Sequence, residues 1–238
     1  MNKKLQHLRT MTLGAAVLAT STVMFSTNAS AEATLSGNAG ILSDYIYRGI
    51  PQNDSSGNGG VDLEIGGFYV GTWIADVGSG VEYDIYGGYV HEFANGMYLG
   101  AGYTTYQYSD NFDSEYNEAN IYAGWSNDVW SIDLEYSPGE YNGEFSDGDN
   151  YDFYALTVGW NGVYLTYGKF DDDADDDLGN YFEFGYGFEV AGFDMTAAIV
   201  HTDDADILSG LDENDGDDEE TQAYVGIHRS FDIMSWGS

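Results

Sequence analysis

The residues with most chemical potential in this sequence are carboxylates, and many stand two apart. Asp62 and Glu64, Glu82 and Asp84, and Asp133 and Glu135 form such pairs; Glu118, Glu183, Glu189 and Asp194 stand singly in similar surroundings. Around Asp133 and Glu135, Trp130, Ile132, Leu134 and Tyr136 occupy the intervening positions. A spacing of two puts side chains on one face of a β-strand, so acids would line one face and greasy residues the other. A wall of carboxylates attracts cations and repels anions through its field. Only Arg48 and Lys169 could oppose these acids, and both lie near expected loop ends.

Other groups suggest chemistry less strongly. Asp171, Asp173 and Asp175 have the 1-3-5 spacing of a calcium loop, but Asp176 stands where that loop needs Gly. The run from Asp212 to Gly216 is one residue short of the same pattern. Both acidic runs are expected to be solvated, self-repelling loops that hold divalent cations loosely at most. His201-Thr202-Asp203, with Ser209 nearby, contains hydrolase residue types, yet no Gly-x-Ser-x-Gly elbow is present. No catalytic residue, metal site or cofactor is expected. Asp44 and Arg48 are four apart, so in a first strand they would share a face. Arg48 is expected to pair with carboxylates in bidentate fashion, hold the first strand and loop, and shape the mouth of the structure.

Composition narrows the class. The chain has 238 residues with 41 acidic and 6 basic ones, a formal charge of −35. That balance excludes a grip on nucleic acid, which needs clustered Lys and Arg. A hydrophobic share of 43% with 16% aromatics is enough to build a folded structure rather than a disordered chain. The absence of Cys excludes disulfides and thiolate metal sites. Residues 1–31 read as a secretory signal: Lys3, Lys4 and Arg9 precede an uncharged apolar stretch, and Ala29-Ser30-Ala31 fits the cleavage rule. Beyond it no uncharged apolar run approaches the roughly 20 residues of a membrane helix. The exported chain would then be soluble, or would cross a membrane as strands, for which only a closed barrel satisfies the backbone.

Period-two alternation dominates from residue 33 onward. It is clear over residues 60–66, 81–90, 129–137, 181–190 and 193–201. Tight turns of Gly66-Gly67, Ala94-Asn95-Gly96, Ser126-Asn127-Asp128, Asn161-Gly162 and Ala191-Gly192 alternate with longer polar loops at 49–59, 76–80, 109–114, 138–150, 171–180 and 202–220. Both prolines fall in or beside those loops. Eleven connections imply twelve strands. Tight turns at one end and long loops at the other describe a single up-and-down antiparallel transmembrane β-barrel of about twelve strands, all-β, over residues 32–238. Tyr45, Tyr47, Phe68, Tyr98, Tyr108, Trp125, Trp130, Trp160, Phe170 and Phe193 crowd the expected strand ends, as interfacial girdles require. A soluble β-sandwich would favour Greek-key connections over this strict alternation. Alternation alone does not say which face is inside. Twelve strands enclose more space than side chains readily fill, which favours bulky rings outside with Gly, Thr, Asp and Glu inside.

Ser43-Asp44-Tyr45-Ile46-Tyr47-Arg48-Gly49-Ile50-Pro51-Gln52 resembles the opening S-D-Y-x-x-R-G-x-x-Q of the TorF-like porins of proteobacteria. The segments Gly67 to Trp73, Asp84 to Tyr89 and Tyr98 to Tyr108 are similar to that family's next ones, and the likeness covers residues 36 to about 125. The resemblance implies an outer-membrane barrel with a pore role and no established substrate. Such families end on a terminal aromatic, whereas here Asp232–Ser238 follow Phe231.

These readings together point to a porin-like channel in the Gram-negative outer membrane, exported through the Sec pathway. It would pass small solutes by diffusion and favour cations, with Asp62, Glu64, Glu82, Asp84, Glu118, Asp133, Glu135, Glu183, Glu189 and Asp194 on its lumen wall. Its partners would be outer-membrane lipid and small solutes or cations. The alternative is a non-conducting structural or adhesive barrel with acidic outer loops. An open lumen would favour the first and a plugged lumen the second.

Overall fold

The computed structural model describes residues 33–110, 112–142, 149–172, 177–203 and 219–237. Residues 1–31, read as the export signal, lie outside them. The strands are β1 (Ala33–Leu42), β2 (Tyr45–Tyr47), β3 (Ile50–Asn53), β4 (Ser56–Ile65), β5 (Phe68–Asp76), β6 (Val81–Glu92), β7 (Met97–Tyr108), β8 (Glu115–Ser126), β9 (Trp130–Asn142), β10 (Asp149–Trp160), β11 (Val163–Asp172), β12 (Asp177–Val190), β13 (Phe193–Asp203) and β14 (Glu220–Trp236). All but β2 and β3 close into one antiparallel barrel of twelve strands. β14 returns to pair with β1, and β1 pairs with β4 on its other side. The all-β, up-and-down barrel expected from the alternation is the fold these residues adopt.

Alternation sets the two faces. Ile132 pairs with Val158, Leu134 with Leu156 and Leu165 with Phe184, in rows that run around the outside. Leu134 is 52% exposed, Phe184 56% and Ile199 53%. A soluble monomer's largest apolar patch covers only about 300–600 Å². A belt of this kind fits hydrocarbon instead. Trp130, Ile132, Leu134, Phe182 and Phe184 all stand on this outer face and not at the centre of the barrel.

Three connections use two-residue turns in which both φ angles are positive: Gly66-Gly67, Asn161-Gly162 and Ala191-Gly192. This is the type I′ geometry that matches strand twist. Phe68, Trp160 and Phe193 stand beside these turns and Trp130 beside the three-residue connection 127–129; all four point outward, with the Trp130 and Trp160 rings 6.2 Å apart. The girdle expectation is corrected for Tyr45, Tyr47, Tyr98, Tyr108 and Phe170, which turn into the barrel and find partners there.

Strand boundaries also differ from expectation. Pro138 lies within β9, opposite Asp152 of β10, and not in a loop. Its missing N–H leaves a gap on the other side: the β8–β9 pairing breaks between Glu118↔Gly139 and Ile121↔Tyr136. Asn120 bridges that gap through side chains, donating to Ser137 Oγ at 3.1 Å and to Glu118 Oε2 at 3.1 Å. The residues after Phe231 are not a trailing tail either. β14 continues past a bulge to Trp236, which pairs with Ala33, so the final strand does end on an aromatic.

Candidate functional site

The connection after β1 does not run over the surface. Ser43 anchors a bend to β14: its N–H donates to Val225 O, and its Oγ accepts from Val225 N–H, both at 2.9 Å. Asp44 sits half-buried on that bend and accepts from Ser43 Oγ at 2.9 Å. The chain then turns inward as the hairpin β2–β3, where Tyr47 pairs with Ile50 around a turn of Arg48 and Gly49. The expected sharing of a strand face by Asp44 and Arg48 is therefore corrected. β1 ends before both: Asp44 lies on the bend itself, and Arg48 lies beyond β2 in the turn of the hairpin.

Arg48 has φ +49° and Gly49 has φ +84°, another type I′ pair. That turn prefers Asn first, and a left-handed conformation costs an ordinary L-residue about 1–2 kcal/mol. Arg at this place is explained by what its side chain reaches. It is buried within the barrel, and Nη1 donates to Glu118 Oε1 at 2.5 Å. Nη2 donates to Glu118 Oε2 at 3.1 Å and to Glu135 Oε1 at 2.7 Å. The guanidinium lies 3.9 Å from the centre of the Phe153 ring and 5.0 Å from that of Tyr47. The forked geometry suits a carboxylate, and the aromatic face adds a cation–π contact.

The rest of the hairpin touches the wall nearly all round. Tyr45 donates to Glu82 at 2.8 Å and packs edge-on to Trp73. The Tyr47 and Tyr106 hydroxyls are 2.8 Å apart. On the far side, Thr202 Oγ1 donates to the Gly49 carbonyl at 2.8 Å. A Cβ on Gly49 would lie 2.7 Å from Tyr181 Cβ. Gly49→Ala therefore adds backbone strain of about 1–2 kcal/mol and an overlap worth about 1–3 kcal/mol. It should unseat the hairpin while leaving the barrel closed. Protease cleavage within residues 45–53 of the folded protein checks this: cleavage in the variant and protection in the wild type is the expected result.

The structure places the wall carboxylates as follows. Asp62 accepts from Tyr86 at 2.6 Å, Asp133 from Tyr98 at 2.7 Å, and Glu183 from Tyr164 at 2.6 Å and Tyr224 at 2.7 Å. Glu118 accepts from Tyr151 at 2.7 Å and Tyr106 at 3.1 Å besides Arg48. Asp84 is fully buried, and neither of its carboxylate oxygens has a hydrogen-bond partner among the described residues. Glu64, Glu189 and Asp194 continue the same strand alternation nearer the short-turn end. Glu82, Asp84, Glu118 and Glu135 thus surround or approach the hairpin, while the others stand away from it. Sequence reasoning missed the inward tyrosines. Their signal was parity: Tyr86 shares a face with Glu82 and Asp84, and Tyr106 is the register partner of Asp84.

Buried inner-face residues form a complete ring. Leu42, Ser56, Trp73, Asp84, Tyr106 and Glu118 belong to β1 and β4–β8; Ser137, Phe153, Thr166, Tyr181, Val200 and Tyr224 belong to β9–β14; each is at most 6% exposed. The lumen is thus filled at this level. Large rings join the small and acidic residues expected inside, because the hairpin gives them something to pack against. Lys169, the other cation near the wall, pairs with Asp171 at 2.8 Å and remains partly exposed.

No group of three or more His, Cys, Asp or Glu able to hold a metal occurs among the described residues. Most of the two acidic runs, and Ser209, lie outside those residues. His201 is engaged with Thr221 Oγ1 at 2.8 Å.

An antiparallel barrel with an apolar exterior, a carboxylate-bearing interior and a loop folded into its lumen has the architecture of the outer-membrane porins. The chain itself belongs to Gcw_chp, a family of bacterial proteins of unknown function, which matches residues 26–231. Among solved structures it is similar to a KdgM porin, with a TM-score of 0.53 and 9% identity over 83% of this chain and 99% of that one. The KdgM porin in complex with disordered oligogalacturonate gives 0.52 and 10% over the same shares. The COG4313 outer membrane channel from Pseudomonas putida F1 gives 0.45 and 13%, over 85% of this chain and 95% of that one. No curated protein sequence matches the chain.

Proposed function

We propose that this protein is an outer-membrane, porin-like channel for passive diffusion of small solutes, favouring cations and closed at rest by the β2–β3 hairpin. The observation that carries the reading is the hairpin itself: an inward loop seated in an acid-lined barrel and latched by a single Arg48 side chain. Covalent chemistry is not part of the reading, and neither is a cofactor. Its setting is the Gram-negative outer membrane after Sec export, with loosely held divalent ions at the acidic loops. The likeness of residues 36 to about 125 to the TorF-like porins supports the same role. Cation preference rests on the wall carboxylates, whose field disfavours anions. The solved KdgM complex holds oligogalacturonate, an anionic sugar chain. An acidic wall suits a different solute.

The buried ring favours a second reading, a barrel that never conducts. Planar-bilayer recording in a KCl gradient separates the two. The channel reading expects brief openings with a cation-selective reversal potential in the wild type, and sustained openings when residues 45–53 are replaced by a short Gly-Ser link. An anion-selective potential would remove the preference. Silence from both proteins, with correct folding, would leave the structural barrel. A solute-size series then measures the opening.

A further inference from the structure

Arg48 is one cation set among four inner carboxylates. Glu118 and Glu135 bind it directly, and Glu82 and Asp84 stand on the neighbouring wall. Tyr106 links the two groups, since it donates to Glu118 and is the register partner of Asp84. Buried carboxylates are ordinarily paired or satisfied. Glu82 has the Tyr45 hydroxyl, but Asp84 is fully buried with both oxygens unpartnered among the described residues. The wall therefore presents more acceptor capacity than the hairpin fills. The guanidinium also fits imperfectly, because Arg48 Nε is buried without a partner and its backbone holds a strained left-handed turn.

By contrast, Glu118, Glu135 and Phe153 stand on adjacent barrel strands and make two carboxylate edges and one aromatic face. A free planar cation could take that place without turn strain. We propose that Arg48 is a tethered occupant of a site for small organic cations with a guanidinium or amidinium head. The site is built from Glu118, Glu135 and Phe153, with Asp84 beside it. A solute of this class would displace Arg48 and, with it, the hairpin. The proposal deepens the channel reading by naming its solute class, and the binding site can be tested without any current.

The probe is methylguanidinium, titrated calorimetrically into the full, folded chain in detergent at constant ionic strength. Arg48→Asn keeps a residue suited to the turn and removes the tethered occupant. It should bind the probe saturably and about tenfold more tightly than the wild type, because a competing internal occupant lowers apparent affinity by the fraction of time it holds the site. Adding Glu118→Gln to that variant should remove most of the gain. Tetramethylammonium, which has charge but no fork of N–H donors, should bind no better to Arg48→Asn than to the wild type. Equal affinities of wild type and Arg48→Asn for methylguanidinium would overturn the proposal, as would an effect indifferent to Glu118→Gln. Should Arg48→Asn fail to fold alone, folding in the presence of methylguanidinium, read from gel mobility before and after heating, serves instead. Rescue supports the site and no rescue overturns it. A barrel that conducts but does not bind the probe loses this site and keeps the channel; one that binds it yet never conducts loses the channel and keeps the site.

Discussion

Glu118→Ala should lower the unfolding free energy by about 3–5 kcal/mol, because it removes one side of a buried ion pair and leaves the other charge behind. Glu118 accepts five bonds, two from Arg48 and one each from Tyr106, Asn120 and Tyr151. Glu135 alone then holds the guanidinium, through one bond at 2.7 Å. Two consequences are expected together: a lower urea midpoint for the folded barrel, and longer open times in the bilayer as the hairpin detaches. Glu135→Ala should do the same more weakly, since Glu135 accepts a single bond from Arg48. If Glu118→Ala unfolds at the wild-type urea concentration and its current is unchanged, the latch has no energetic role and the hairpin is held by packing.

The second large effect concerns the outer face. Leu134 lies midway along β9, paired with Leu156 on β10 and Ala123 on β8, and half of it is exposed. In a bilayer, Leu134→Arg should cost about 2–4 kcal/mol, the penalty for a charge at the midplane of a barrel. On a water-exposed face the same change would stay within about 0.5 kcal/mol. Equilibrium unfolding from lipid vesicles, with Leu134→Ala as the reference, distinguishes the two. A near-zero difference would mean that this face meets water, and the membrane assignment would fall with it.

Twelve strands, their order and the short turns could be read from residues because each rests on local rules. A period of two marks a strand, and Asn-Gly or Gly-Gly between such runs makes a tight hairpin whatever lies beyond. Ten acidic residues were likewise assigned to one strand face from spacing alone. The errors arose where a local rule met a distant partner. Pro138 looks like loop punctuation, yet it is absorbed into β9 because Asn120 and Ser137 repair the broken ladder from the side. Asp232–Trp236 looks like a tail until β1, two hundred residues earlier, supplies its partner. Half of the aromatics placed in the girdle turned inward. A ring at a strand end obeys the same alternation whether it meets lipid or a carboxylate.

From its own residues, then, this chain determines a two-faced, sequentially paired sheet long enough to close. Alternation and turn chemistry are short-range, and they act before any contact across the barrel exists. What folding in three dimensions decided is the content of the enclosed space. Arg48 meets Glu118 across 70 positions and Glu135 across 87, and Gly49 meets Thr202 across 153. No spacing encodes those pairs. They exist because closing the sheet brings its strands around a common axis, where Arg48 finds the acids that the alternation had already turned inward.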